Sequence, residues 1–452
     1  MASLKLFDEE YSTRPVGTFV DLFAGCGGAS LGLIQAGWQG LFAIEKNAMA
    51  FETLHYNLVN GPRQGFYWPE WLPRQAHEIG TVIETYRKQL TALRGTVDLV
   101  VGGPPCQGFS FAGRRDRLDA RNELFVRYIR MVTLIRPKFL LLENVAGIQV
   151  EHGKKVRQQQ RQRGRPPKPY SDKILDGLRR IGYEVWPRVL RAAEFGVAQH
   201  RPRFIVVGVQ RQLMDELREG NSEFNPFDHL LPAVQKLFLE ERGLSTSRPV
   251  SAEMALSDLE VDHAGKRASR DTKGFEEIAY KGPITRYQRL LNANTPANDV
   301  NSLRLANHRA ETARRFREIQ ETCRVGVVLS MKDRERLGLK KHHTVVLDRR
   351  EPSHTLTTLP DDLLHYSEPR ILTVRECARL QSFPDWFEFR GKYTTGGPSR
   401  KLETPRYTQV GNAVPPFLAE CLGRLVHALM ILTTHAEHDE SVQGELAYAR
   451  AI

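Results

Sequence analysis

The chain reads TFVDLFAGCGG over residues 18–28, and this stretch indicates the fold. Its first half is apolar and β-branched, as in a buried strand, and its glycine-rich second half suits a tight turn that opens a helix. Similar runs predict strands over 18–23, 40–44, 97–101, 139–142 and 204–209, with helical stretches such as 122–135 between them. This alternation is typical of an α/β fold with a doubly wound, mostly parallel, Rossmann-like sheet.

Composition narrows the class of protein. The 452 residues include 65 lysines and arginines against 53 aspartates and glutamates, a formal net charge of +12. Such a cationic surplus attracts polyanions, although a solvated basic surface gives the same balance. Because no run of about 18 apolar residues and no signal segment is present, we expect a cytoplasmic protein without a membrane span. The five cysteines lack zinc-ligand spacing, so no metal site is predicted.

A second stretch places one cysteine at the expected edge of the sheet. Residues 102–110 read GGPPCQGFS and directly follow the predicted strand 97–101. The prolines restrict φ and the glycines permit a tight bend, so this loop presents Cys106 to a ligand. We interpret Cys106 as a nucleophile, the alternative being a small buried apolar side chain.

The glycine turn departs from the dinucleotide pattern G-x-G-x-x-G, because Ser30 stands where the third glycine would be. A ligand smaller than a dinucleotide therefore fits better. Glu45 ends the next predicted strand about 20 residues on, where a carboxylate accepts hydrogen bonds from ribose hydroxyls. Phe23 offers a ring for stacking on adenine. Either feature alone also occurs without a ligand.

The loop at 102–110 resembles the catalytic loop of the cytosine-C5 methyltransferases. Further segments resemble that family's motifs in its usual order: the glycine turn, ENV at 143–145, QHRPR at 199–203, the segment 370–385 and QVGNAVPP at 409–416. The resemblance spans residues 18–416 and leaves 211–345 unmatched in detail. It implies a methyltransferase fold with a smaller, irregular target-recognition domain.

The resemblance also implies that S-adenosylmethionine is the cofactor. The positions that would contact it are Phe23, Ala24, Gly25, Cys26, Glu45, Lys46, Gly103, Asn412 and Val414. One departure concerns an aspartate that the family commonly has near the adenine amino group, after the third strand. In the segment 79–82 that position holds Thr81, so either Thr81 substitutes for the aspartate or this segment is not the end of a strand.

The chemistry of cytosine explains the remaining residues. Carbon 5 is too weak a nucleophile to attack a methyl sulfonium, so the ring must first be activated by addition at carbon 6. The resemblance implies that Cys106 makes this addition, that Glu143 hydrogen-bonds N3 and the exocyclic amine, and that Arg203 contacts O2. Arg201 would position the loop or a backbone phosphate, and alternation along 199–203 puts both arginines on one face. The sequence does not identify the base that removes the C5 proton, and water is one alternative.

We expect three parts in the chain. Residues 1–210 form a catalytic and cofactor-binding domain with a basic loop at 151–170, 211–345 form a target-recognition domain, and 346–452 return to complete both. Closing helices are predicted at 374–381 and 416–432, packing back onto the first domain.

A base stacked in a duplex cannot present carbon 6 to a thiol, so the target must flip into a cleft. Candidate contacts to DNA are Arg286, Tyr287, Gln288, Arg289 and residues 340–343, although each is also consistent with a solvated side chain. The sequence RGRP at 163–166 resembles the core of an AT-hook, the alternative being a plain insert.

Together these features predict a monomeric DNA cytosine-5 methyltransferase that modifies specific sequences in double-stranded host DNA, close to the nucleoid. A cognate restriction endonuclease is a candidate partner. The nearest alternative is the same chemistry on transfer RNA, but the length of 211–345 favours duplex DNA. A noncatalytic DNA-binding regulator would not need Cys106, Glu143 and Arg203. An amino-group methyltransferase would carry an Asp/Asn-Pro-Pro-aromatic loop instead.

Overall fold

A computed structural model of the protein describes residues 15–61, 63–105, 121–149, 169–218, 224–296, 299–395 and 403–434. Its strands are β1 (Thr18–Leu22), β2 (Gln39–Ile44), β3 (Leu99–Gly102), β4 (Phe139–Val145), β5 (Tyr183–Arg191), β6 (Pro202–Gln210), β7 (Lys266–Ala268), β8 (Glu276–Ile278), β9 (Val345–Val346) and β10 (Leu363–Leu364). Each of the five predicted strands is present within a few residues of its predicted limits.

The first six strands form one sheet in the order β2-β1-β3-β4-β6-β5. The pairs β2/β1, β1/β3 and β3/β4 are parallel, whereas β6 runs antiparallel to both of its neighbours. The central strands β1 and β3 are almost wholly buried, as expected where helices cover a parallel sheet. The predicted α/β, mostly parallel architecture is therefore confirmed.

The strand β5 was not predicted from the sequence. It lies at the edge of the sheet, paired only with β6 among the described strands, and it contains Pro187 opposite Val206. Proline lacks a backbone N–H and is tolerated at such an edge. The partly exposed alternation of β5 also weakens the apolar signal that marks the central strands.

The described α-helices are α1 (Gly28–Gln35), α2 (Ala48–Leu54), α3 (Ile79–Thr85), α4 (Arg87–Ala92), α5 (Arg121–Ile135), α6 (Tyr170–Arg180), α7 (Arg211–Arg218), α8 (Pro226–His229), α9 (Leu231–Glu241), α10 (Ala252–Leu256), α11 (Val261–Ala264), α12 (Arg286–Asn292), α13 (Ala310–Thr322), α14 (Met331–Arg336), α15 (Val374–Leu380), α16 (Arg406–Asn412) and α17 (Pro416–Thr434). The predicted helix at 122–135 corresponds to α5. The predicted closing helices at 374–381 and 416–432 correspond to α15 and α17.

The last helix, α17, packs on α1, which follows the glycine turn. A Cβ atom placed on Gly32 would stand 2.4 Å from the carbonyl oxygen of Pro416 and 2.6 Å from Cβ of Ala419. The indole of Trp38 donates a hydrogen bond to the carbonyl oxygen of Gly423 at 3.1 Å. The predicted return of this helix to the first part of the chain is confirmed. The stretch Arg406–Thr433 is long and apolar enough to cross a membrane, but most of it is buried in this core.

The region after β6 contributes to the main core and also forms two smaller cores. Helices α8 and α9 place Phe227, Leu231 and Phe238 in the main core. One small core gathers Leu259, Ala264, Ile278, Val300, Leu303 and Leu305. The other gathers Ile319, Leu329, Val346, Leu364 and Ile371. The domain limits at 210 and 345 remain a prediction.

Candidate active site

The turn between β1 and α1 holds three residues in the left-handed region of backbone conformation. Phe23 has φ 64°, Gly25 φ 58° and Gly27 φ 93°. Glycine adopts this conformation freely, whereas for Phe23 it costs about 1–3 kcal/mol, and such strain is concentrated at functional sites. A Cβ on Gly28 would stand only 2.3 Å from the carbonyl oxygen of Val414, so the turn lies directly against the segment after α16.

The carboxylate of Glu45 connects this turn to the end of β2. One oxygen accepts the backbone N–H of Gly25 at 3.0 Å, and the other accepts the backbone N–H of Asn47 at 2.7 Å. Burial raises the pKa of Glu45, and these backbone N–H groups oppose the rise. Because a carboxylate can accept about four hydrogen bonds, Glu45 keeps acceptor capacity for a ligand beside these backbone groups.

Sequence reasoning missed the acid beneath the turn. Asp21 is 2% exposed, and its carboxylate accepts a hydrogen bond from the hydroxyl of Ser30 at 2.5 Å. Burial raises the pKa of Asp21 to about 7, with a smaller contribution in the same direction from Glu45. The only signal for this pair was Ser30 itself, which replaces the third glycine of the dinucleotide pattern. This hydrogen bond connects the first turn of α1 to the end of β1.

The other predicted cofactor positions differ in exposure. Ala24 and Cys26 are buried, and the thiol of Cys26 lies 3.7 Å from the carbonyl oxygen of Gln409. Lys46 and Asn412 are exposed, while Gly103 and Val414 are partly exposed. The glycine turn and residues 409–414 therefore meet, with the side chains of Ala24 and Cys26 in the core.

Of the two alternatives for Thr81, the structure supports the second, because the segment 79–82 is not the end of a strand. The segment begins helix α3, and the carboxylate of Glu78 caps this helix by accepting the backbone N–H of Thr81 at 3.1 Å. Glu78 also forms an ion pair with Arg127. The preceding backbone N–H, that of His77, donates to the carbonyl oxygen of Glu45 at 2.8 Å. Glu78 thus adds a second acidic group near the end of β2, besides Glu45, and its carboxylate is engaged by Thr81 and Arg127.

Glu143 and Arg203 lie together at the same sheet edge. Glu143 is near the end of β4, Arg203 near the start of β6, and their Oε1 and Nε atoms are 2.6 Å apart. A Cβ on Gly103 would stand 3.2 Å from Oε2 of Glu143, so β3 ends against this carboxylate. Asn144 donates to the carbonyl oxygen of Pro104 at 3.0 Å and fixes the chain leaving β3. Cys106 lies outside the described residues.

Arg201 and Arg203 are close enough to interact electrostatically, but their surroundings differ. Arg203 is 7% exposed; burial lowers its pKa, while Glu143 opposes this. Arg201 is 2% exposed and donates to the carbonyl oxygens of Gly411 at 2.9 Å, Ala413 at 3.1 Å and Leu356 at 3.2 Å. Burial lowers its pKa well below the usual value. These contacts favour a positioning role over contact with a backbone phosphate.

The candidate contacts to DNA are only partly accessible. Tyr287 and Gln288 are fully buried, Tyr287 donating to the carbonyl oxygen of Arg379 at 3.3 Å and Gln288 completing the N-terminal cap of α12. These two side chains therefore do not face DNA in this conformation. Arg286 and Arg289 are exposed. Lys341 pairs with two aspartates at 2.6 and 2.7 Å, and residues 163–166 lie outside the described part of the chain.

Comparisons with known proteins agree with this geometry. A solved structure described as a DNA modification methyltransferase encoded within a prophage of E. coli matches with a TM-score of 0.59 at 22% identity, covering 92% of this chain and 99% of that one, which supports the fold. The type II methyltransferase M.DdeI of Desulfomicrobium norvegicum is 30% identical over 90% of this chain and 88% of its own length. M.Eco47II of Escherichia coli, also a type II methyltransferase, is 31% identical over 93% and 82% respectively. A family model for the C-5 cytosine-specific DNA methylases matches residues 17–427. The chain therefore belongs to the C-5 cytosine-specific DNA methylase family.

Proposed function

We propose that this methylase modifies carbon 5 of a cytosine flipped out of double-stranded DNA at a specific sequence, as the modification enzyme of a type II restriction-modification system. Two relatives, M.DdeI and M.Eco47II, carry the type II name, and the chain covers most of their length. A cognate restriction endonuclease is then the expected partner in the cell. Double-stranded DNA fits the net charge of +12.

The pair formed by Glu143 and Arg203 supports this proposal most directly. It joins a carboxyl group and a guanidinium side by side beside the end of β3. On cytosine, O2, N3 and the exocyclic amine follow one another along a single edge. Arg203 donates to O2 while Glu143 hydrogen-bonds N3 and the amine, so the pair matches that edge group by group.

The reaction then proceeds through a covalent bond to the base. The thiolate of Cys106 adds to C6, the ring electrons shift toward N3, and the carboxylic acid of Glu143 protonates N3. S-adenosylmethionine supplies an electrophilic methyl group on a sulfonium sulfur. Held by the glycine turn and Glu45, it would give this methyl group to C5, and the electron pair of the broken bond would stay on its sulfur. The N3 proton then returns to the carboxylate of Glu143, a base removes the C5 proton, the bond between C6 and sulfur breaks, and the thiolate of Cys106 is restored.

The residues of the glycine turn fit S-adenosylmethionine. A Cβ on Gly25 would meet nothing within 4 Å, so the space above the turn is open. Glu45 retains acceptor capacity for a ribose hydroxyl, and the partly exposed ring of Phe23 suits adenine. Gly103, Asn412 and Val414 complete the proposed set. Arg201 acts through the carbonyl groups that it holds, as a positioning residue.

The test uses random-sequence duplex DNA containing 5-fluorocytosine, in which fluorine at C5 prevents the final elimination. With S-adenosylmethionine, the wild-type protein should form a covalent complex that survives denaturation. Cys106→Ala should form none, and Glu143→Gln should form it about 10²–10⁴-fold more slowly, because it cannot protonate N3. Cys323→Ala, at a partly exposed cysteine of α13's C-terminal end, is the matched control and should react like the wild type.

Two outcomes would contradict the proposal. Full turnover by Cys106→Ala would show that Cys106 is not the nucleophile. Transfer of a labelled methyl group to transfer RNA but not to duplex DNA would show that the substrate is RNA.

A further inference from the structure

A short strand segment places one partly exposed arginine on the face of a small sheet opposite its apolar core. Residues 303–305 extend the β7–β8 hairpin. The Ile278 N–H donates to the carbonyl oxygen of Leu303 at 3.2 Å, and the backbone of Arg304 forms an antiparallel β-bridge with that of Glu277. Leu303 and Leu305 are buried in the small core on one side. Successive side chains of a strand alternate, so Arg304 lies on the opposite face, beside Glu277.

Two aromatic rings cover the guanidinium of Arg304. Its central carbon lies 3.7 Å from the ring centroid of Tyr393 and 4.3 Å from that of Phe275. Such stacking holds a planar cation in one orientation. Arg304 nevertheless remains partly exposed, and we take its N–H edge as the part that is available to a ligand.

The neighbouring arginines on this face are already paired. Arg267 and Arg270 lie 2.8 and 2.7 Å from the same carboxylate oxygen of Glu277. Arg406 lies 2.9 Å from Asp271, which also accepts a hydrogen bond from Tyr393. Within the described part of the chain, Arg304 forms neither a salt bridge nor a side-chain hydrogen bond, and Asp271 attracts it only from a longer distance. Four arginines against two acids leave the face cationic.

The hairpin is fixed to the element that reaches the cofactor turn. Asp271 lies in the connection between β7 and β8, and Arg406 is the first residue of α16, which ends at Asn412. The arginine face therefore has a defined position relative to the edge where the cytosine would bind. It also lies in the part of the chain that matches no motif, where sequence specificity is expected to differ between family members.

We propose that Arg304 reads a guanine of the target sequence by donating two hydrogen bonds to O6 and N7 in the major groove. This inference rests on the proposed action at specific sequences in duplex DNA. The two acceptors of guanine match the spacing of a guanidinium edge, and this is the commonest specific contact of arginine with DNA. A fixed orientation favours reading of a base over contact with a phosphate, because phosphate contacts position a protein without distinguishing sequences.

The experiment expresses the wild type, Arg304→Lys and Phe275→Leu in a host and maps methylated sites by bisulfite sequencing. Wild-type sites should share a fixed guanine at one position. Arg304→Lys keeps the charge but loses the planar pair of donors, so sites with another base there should become methylated. On purified duplexes, its preference for that guanine, measured as the ratio of kcat/KM values, should fall roughly ten- to a hundredfold. Phe275→Leu, which uncovers one face of Arg304, should reduce the preference less.

The matched control is Arg315→Lys, an exposed arginine of α13 paired with Glu311 at 3.0 Å, which should keep the wild-type sites. Unchanged discrimination in Arg304→Lys would overturn the inference, as would an equal loss of affinity for all sequences, which identifies a phosphate contact. If the wild type methylates no DNA, the proposed function fails instead. Arg304→Lys and Phe275→Leu both keep side chains of similar size, so we expect both variants to fold and to be comparable with the wild type.

Discussion

At the scale of single residues, Asp21 shows how burial changes the protonation of a carboxyl group beneath a ligand site. The group has almost no exposure, one hydroxyl donor at 2.5 Å and the carboxylate of Glu45 as an acidic neighbour. Removal from water penalises the ionised form, so burial raises the pKa of Asp21 to about 7. In the unfolded chain the same carboxyl titrates near pH 4.

This difference predicts a dependence of stability on pH. Between about pH 4 and pH 7 the folded state binds more protons at Asp21 than the unfolded state, so the free energy of unfolding falls as pH rises, by up to roughly 4 kcal/mol. Asp21→Asn lacks this titration. Urea denaturation at pH 5, 6, 7 and 8 should show the wild type losing stability relative to Asp21→Asn as pH rises. Parallel pH profiles would contradict the assignment.

At the scale of secondary structure elements, the contact between α1 and α17 depends on one glycine. Gly32 lies where α17 begins, and the atoms nearest to an added Cβ belong to its backbone and to Ala419. Backbone atoms at 2.4 and 2.7 Å cannot move aside as a flexible side chain can. The close pairing of these two helices therefore requires that position 32 carries no side chain.

Gly32→Ala should lower the free energy of unfolding by about 1–3 kcal/mol or more, since overpacking outweighs the gain of about 1 kcal/mol in helix propensity. Gly177→Ala in α6 is the control, because its Cβ would meet Phe125 and Ile129 at ordinary distances of 3.4 and 3.5 Å. It should be neutral or stabilise by up to about 1 kcal/mol. Urea denaturation measures both. Equal effects of the two alanines would argue against close packing at Gly32.

At the scale of the whole molecule, a buried ion cluster connects the region after β6 to helix α15. Arg379 donates to both carboxylate oxygens of Asp385, at 2.8 and 2.7 Å, and to Asp258. All three side chains are fully buried. Because a buried charge without its partner is costly, this cluster makes the packing of the two regions interdependent.

Asp258→Asn should therefore lower the free energy of unfolding by about 3–5 kcal/mol, because it removes one of two carboxylates from a fully buried guanidinium. Asp228→Asn, at an exposed pair with Arg188, is the matched control and should change stability by no more than about 0.5 kcal/mol. Limited proteolysis should cleave 211–345 faster in Asp258→Asn than in the wild type. Equal stability of the two variants would show that the cluster does not couple the regions.

The sequence predicted the parts of the fold that depend on neighbouring residues. The central strands, helix α5 and the closing helices are predicted by the periodicity of apolar residues and by the positions of glycines. The edge strand β5 was missed because Pro187 and its exposed side chains obscure the pattern. The strand expected before Thr81 is absent, because Glu78 caps helix α3 at this point by accepting the backbone N–H of Thr81.

By itself, the sequence determined the α/β sheet, the family and the kinds of side chain at the site, because strand, turn and motif patterns are local. The tertiary structure alone decided what those side chains touch. It paired Glu143 with Arg203 across adjacent strands, enclosed Arg201 among carbonyl oxygens, and stacked Arg304 on Tyr393. Such partners are distant in the chain, and only the packing of whole elements determines which of them meet and which groups are left free to bind a ligand.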